Sequence, residues 1–356
     1  MPKSSFPLVF DGHNDMLLRL VGNEGADPVH DFMHGRANGH LDLPRMIEGG
    51  FGGGLFAVFV PSSGPRRSRN TQPSNSPQDE PLPPPLAQSE ALPAVLAMIA
   101  ILLRLERASN GRFRVCRSVA DIRAAMADEA IAAVLHFEGA EAIDTDLHAL
   151  DVFQQAGLRS IGPVWSRPTQ YGHGVPFRYP SSPDTGDGLT QHGRAFVRAC
   201  NERRIAIDLS HLNEKGFWDV ARLSDAPLIA SHSNAHAVCA HARNLTDDQM
   251  RAIRDSGGIA GLNFANCFLR PDARDMADTG VDVMLRHLDH MLEIMGPDHV
   301  GIGSDFDGAL IPDAIGDGAG LPVLQAAMQA HGYDAKTLQS ISQENWLRTL
   351  HATWGA

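Results

Sequence analysis

The sequence predicts a (β/α)8 barrel, and three observations carry that expectation. Short apolar runs alternate with longer amphipathic segments, as βα units do. Eight such runs are present, the number that closes a barrel. Five of them run out in metal-ligand residues: His13 and Asp15 after PLVFDGHND, Glu138 after IAAVLHFEG, His211 after IAIDLSH, His232 after APLIASH and Asp305 after HVGIGSDFDG. Five such endings imply one polar centre at one rim.

The candidate strands are Leu8–Phe10, Gly54–Val60, Ala132–Phe137, Ser160–Trp165, Ile205–Ser210, Leu228–Ser231, Gly258–Asn263 and Val300–Gly303. A strand buried on both faces reads as a continuous apolar run, and side chains two apart share a face. His211 therefore shares parity with Ile205, Ile207 and Leu209, and His232 with Leu228 and Ala230. His13 and Asp15, two apart, can offer one ion a nitrogen and an oxygen. Asp305 shares parity with Gly301 and Gly303, which leave room for close approach. Helices are expected over Leu92–Arg107, Val119–Asp128, Gly188–Arg203, Thr246–Ser256, Val281–Met295, Pro322–His331 and a terminal capping segment, Asp334–His351.

One domain spanning residues 1–356 is expected, interrupted by a Pro/Ser-rich insertion at 61–93 that reads as a mobile loop. A second irregular stretch, Ser166–Asp187, follows a candidate strand and so belongs over the active rim.

The chain has 356 residues, 43% apolar and 20% charged, the composition of an ordinary globular protein. A formal charge of −12 argues against nucleic-acid or anionic-membrane partners. No stretch approaches the ~20 apolar residues of a membrane span. No apolar signal region precedes His13, and Cys116, Cys200, Cys239 and Cys267 form no C-x-x-C pair. Buried reduced thiols and a cytoplasmic setting are the expectation.

A lone His or Asp at a strand end is commonly structural. Several ionisable groups at the ends of apolar strands are costly to bury unless a cation offsets their charge. Three carboxylates and three imidazoles suit two divalent ions, Zn2+ first, with Mn2+ or Co2+ possible. Two ions need a shared ligand. Lys3, Lys215 and Lys336 end no candidate strand, which leaves Glu138. His136 shares parity with Glu138, and its place stays open. The other histidines, His40, His241 and His287 among them, are expected to be surface or structural. There is no H-E-x-x-H, G-x-S-x-G or phosphate-binding loop.

The motifs DGHND, HFEGAEAI, IDLSH, SHSNAHAVCAHARNLTDDQ and GIGSDFDG, in this order, resemble the membrane dipeptidase (renal dipeptidase) family from Val9 to about Trp346. The resemblance implies a (β/α)8 barrel with a binuclear zinc centre that hydrolyses dipeptides, usually as a homodimer. His13 and Asp15 would ligate one zinc, His211 and His232 the other, and Glu138 both. Asp305 would be the acid/base residue, taking a proton from a metal-bridging water. Arg243, eleven residues after His232, would grip the substrate's free carboxylate, as a planar guanidinium does well.

Two positions depart from the animal enzymes. Trp165 stands where those carry a substrate-side His, and Ala265 stands where they carry Tyr. His173, eight residues beyond Trp165, is a candidate for the missing imidazole. An alternative substrate is another small amide, such as an N-acyl amino acid.

Overall fold

The computed structural model describes residues 6–22, 27–35, 38–62 and 79–355. Nine strands are seen among them: β1 (Val9–Asn14), β2 (Phe51–Phe59), β3 (Phe113–Val115), β4 (Ile131–Glu138), β5 (Leu158–Ile161), β6 (Ala206–Ile207), β7 (Ile229–Ala230), β8 (Ile259–Leu262) and β9 (Val300–Ile302). All eight candidate strands are present. The ninth, β3, is only three residues with an arginine at its centre, too short to show a period.

Every pairing between these strands is parallel, in the order β6-β5-β4-β2-β1-β9-β8-β7. A parallel bridge between Asp208 and Ile229 joins the two ends, with the Leu209 N–H donating to the Ile229 carbonyl at 2.8 Å. Eight strands thus close as a (β/α)8 barrel, and β3 pairs with the start of β4.

Strand side chains divide by parity between two large apolar clusters. Phe10, Leu55, Ala132, Val134, Ala206, Ile229 and Ile259 pack together within, along with Trp346, Leu347 and Leu350 of the helix Asn345–Trp354. That helix is the last part of the predicted capping segment, which divides into Ala335–Gln339, a π turn at Ser340–Glu344 and Asn345–Trp354. The Trp346 indole N–H donates to the Ile302 carbonyl at 2.9 Å. A Cβ on Gly12 would come within 2.2 Å of its ring, so the barrel floor requires glycine there. Val9, Ile205, Ile207, Leu209, Leu228 and Ala230 belong to the larger cluster beneath the surrounding helices.

Helix Val281–Met295 has the predicted bounds, and the others differ at their ends. The helix Gln88–Ala108 begins inside the segment read as a loop. Pro93 removes one hydrogen bond, to the Ser89 carbonyl, but Ser89 is exposed and water can serve that group. Residues 63–78, the centre of the insertion, lie outside the described residues. Its far end is tied down by the Asp79–Arg178 ion pair at 2.8 Å and by the Glu80 N–H on the Phe177 carbonyl at 3.0 Å.

Candidate metal centre

His13, Asp15, Glu138, His211, His232 and Asp305 are all buried, between 0% and 8% exposed, at one end of the barrel. Glu138 is the hub. Its Oε1 lies 2.9 Å from His211 Nε2, 3.6 Å from His232 Nε2 and 3.6 Å from His13 Nε2. His13 Nε2 is 3.6 Å from Asp15 Oδ2. Two sets with metal-binding spacing share Glu138: His13 with Asp15, and His211 with His232.

The strands deliver these residues in different ways. Glu138 continues the inward face of Ala132 and Val134. In β1 the pairing slips: Asp11 faces Gly54 and Asn14 faces Phe56, so three steps on β1 match two on β2. This bulge re-phases the strand and lets His13 follow Phe10 into the interior despite the odd spacing. Parity fails for His211 and His232, because their same-parity neighbours face the outer helices. Both histidines follow the ends of β6 and β7 and reach inward from turns, where alternation no longer holds. The inward parity of β6 belongs instead to Asp208.

Asp208 is buried and organises that side. Its carboxylate accepts from Ser210 Oγ (2.7 Å), Ser231 N (2.8 Å) and Ser231 Oγ (2.6 Å). Ser231 has one hydroxyl proton, spent on Asp208, so its oxygen accepts from His232 Nδ1 at 2.7 Å. His232 therefore carries its proton on Nδ1 and turns a lone pair on Nε2 toward Glu138. His211 Nδ1 is likewise held by Ser166 Oγ at 2.9 Å. These partners were missed from sequence, whereas His136, left open there, is placed with its ring edge-on to His13 at 5.4 Å. The interior parity shared by Ala206 and Asp208 was the available signal.

The electrostatics call for a cation. Burial acts to lower the His13 pKa, yet the charges of Glu138, Asp15 and Asp305 overcome it and lift it to about 9. His232 is pushed well below its ordinary value by burial and by the neighbouring cationic groups. Both ring nitrogens of His13 are buried without a hydrogen bond. The Nε2 atoms of His211 and His232 face each other at 3.1 Å. A Cβ on Gly308 would lie 2.0 Å from Asp15 Oδ2 and 2.3 Å from Asp305 Oδ1, so this cradle exists only with glycine. Converging lone pairs and carboxylates in a dry site fit divalent metal.

Asp305 adopts a left-handed backbone (φ 58°), and its Oδ2 accepts from Asn263 Nδ2 at 3.0 Å. Arg243 is 3% exposed. Its guanidinium donates to the carbonyls of Ser210 and His232 (3.0 Å for the latter) and to Ser233 Oγ at 3.2 Å, tying together the turns that present both histidines. Trp165 lies beside the centre, its ring 5.8 Å from His211 and edge-on to Phe59 (5.0 Å) and Phe177 (5.4 Å). His173 lies beside Asn213 and Gly186: its carbonyl accepts from the Asn213 N–H at 3.1 Å, and its Cγ is 3.7 Å from where a Gly186 Cβ would be.

Barrel and cluster together define a metal-dependent (β/α)8 hydrolase. Residues 4–354 match the model of the membrane dipeptidase family, peptidase family M19. The chain belongs to that family and is a metallo-dipeptidase. It is 56% identical to the dipeptidase AC, a metallopeptidase of family M19, covering 99% of this chain and 100% of that one with a TM-score of 0.94. It is 55% identical, over 98% of this chain and 100% of that one, to a metallopeptidase from Rhodobacter sphaeroides solved with a phosphinate mimic of the dipeptide L-Ala-D-Ala, again with a TM-score of 0.94. A Klebsiella pneumoniae protein, named as the uncharacterized protein in the pqqA 5' region, is 49% identical over 256 residues, 72% of this chain and 94% of its own length.

Proposed function

We propose that this enzyme hydrolyses small dipeptides with a free C-terminal carboxylate at a binuclear centre, with zinc the first choice and Mn2+ or Co2+ the alternatives. The observation that carries the reading is the convergence of three imidazoles on one oxygen of Glu138. His13 and Asp15 would hold one ion, His211 and His232 the other, and Glu138 both. Bound ions supply the Lewis acidity that makes water nucleophilic and polarises a scissile carbonyl.

The remaining work falls to the chain's own groups. The Asn263 amide donates to Asp305 Oδ2 and fixes the carboxylate's orientation, while Oδ1 faces the Gly308 cradle. Asp305 takes the proton of the attacking water and passes it to the leaving amine. Arg243 anchors the substrate carboxylate. Trp165 and the loop that carries His173 form the substrate side, with the aromatic faces of Trp165 and Phe177 excluding water. A D-residue at the second position falls within this substrate class, as in the mimic bound to the Rhodobacter relative. The homodimer implied by the family and a cytoplasmic setting, supported by four buried free thiols, complete the reading. No helix among the described residues is long and apolar enough to cross a membrane.

The test is turnover of zinc-loaded protein on L-Ala-L-Ala and L-Ala-D-Ala beside their N-acetyl forms. Cleavage of the free dipeptides is expected. Asp305→Asn should keep its metal and lose about 10²–10⁴-fold in kcat. Activity confined to the acetylated forms would sink the dipeptidase reading, and full activity in the variant would remove Asp305 from its role.

A further inference from the structure

His241, expected to be surface or structural, is fully buried. Its Nδ1 accepts the backbone N–H of Arg243 at 3.1 Å, which places the ring proton on Nε2. Burial, with the Arg243 and His236 charges adding to it, lowers its pKa to about 3, so the ring stays neutral. The Nε2–H is buried and has no hydrogen-bond partner. Arg243 Nε is in the same condition. Both residues rest on one aromatic ring, Phe268: the imidazole centroid is 4.7 Å from it and the guanidinium carbon 5.3 Å.

Buried donors left without acceptors are costly, and native proteins rarely keep them. Here two occur on adjacent side chains, one of them a cation, and Arg243 makes no ion pair with a carboxylate among the described residues. A metal does not suit the spot, because Nε2 carries a proton and a guanidinium offers no lone pair. An amine does not suit it either, since both groups only donate. The complement of two adjacent donors and one positive charge is an oxyanion, and the apolar surround of Ala265, Cys267, Phe268 and Phe177 keeps the contact dry.

We propose that the Nε2–H of His241 is a second donor to the substrate's C-terminal carboxylate, working beside Arg243 as a specificity-determining residue. The proposal rests on the dipeptidase reading. It assigns discrimination between a C-terminal acid and a C-terminal amide to His241 as well as to Arg243.

The test is calorimetric binding of D-alanine and of D-alaninamide to the zinc-loaded protein, with turnover of L-Ala-D-Ala alongside. His241→Phe keeps a ring and removes the donor, whereas His241→Gln keeps an N–H. The expected result is about tenfold weaker D-alanine binding in His241→Phe and a similar loss in kcat/KM carried by KM. D-Alaninamide binding should be unchanged, and His241→Gln should recover most of the loss. Equal weakening on both ligands, no weakening, or no D-alanine binding by the wild type overturns the proposal. If Arg243→Met abolishes the acid preference and His241→Phe does not, the inference fails while the dipeptidase reading stands. Discrimination that depends on His241 without any dipeptide cleavage has the reverse meaning.

Discussion

The two sides of the candidate metal centre are built on different principles. On the β6/β7 side, His211 and His232 each have the outer ring nitrogen held, by Ser166 and by the Ser231–Asp208 relay. On the β1 side, His13 makes no ring hydrogen bond and is fixed by burial, by stacking on His232 at 3.8 Å and by three carboxylates. The first side is preorganised whether or not an ion is present. The second is balanced only when positive charge arrives, as a proton or as metal. Such asymmetry teaches that one ion should bind as to a finished site and the other should replace a proton.

Glu138 belongs to both sides, so changing it should have the largest effect. Glu138→Gln removes the shared negative charge while keeping shape, and we expect loss of detectable turnover with fewer than two ions retained per chain. Metal analysis after dialysis checks this. A variant that keeps its full metal load would show that the two sides do not share Glu138.

A smaller change separates the sides. Ser231→Ala cuts the relay between Asp208 and His232 and should weaken one ion about 10–100-fold while leaving the other near its original affinity. Competition with a chromophoric chelator resolves the two steps. Equal weakening of both would mean that the preorganisation is not local to the β6/β7 side.

The same contrast marks what the sequence made legible. The residues that converge on Glu138 were readable because each follows an apolar run, and Glu138, on a regular strand, obeys parity outright. His13 does not, since a bulge invisible in the sequence re-phases β1, and His211 and His232 enter from turns beyond the strand ends. The partners that orient them are serines and aspartates, which are commonplace in loops and carry no period. Asp208 alone carried a signal, its parity with Ala206, which becomes legible only once β6 is known to turn that face inward. His241 was left open between surface and structural for the same reason: in AHARN nothing distinguishes a surface histidine from one buried against Phe268.

The smallest expected effect is one of pH, and it tests the β1 side directly. In the metal-free protein the carboxylates around His13 raise its pKa to about 9, above the ordinary 6.5 that applies to the unfolded chain. The folded state thus binds this proton more tightly, and the stabilisation it gives is complete below about pH 6.5 and lost as pH rises through 9. Chelator-treated protein should therefore lose stability between about pH 7 and 9, seen as a falling urea midpoint. Metal-loaded protein should not, because the proton has already been displaced, and its metal affinity should instead fall as pH drops. His13→Gln removes the titrating group and should flatten the metal-free profile over that range. A flat profile in the wild type would mean that His13 holds no extra proton and that the two sides are equally finished before metal binds.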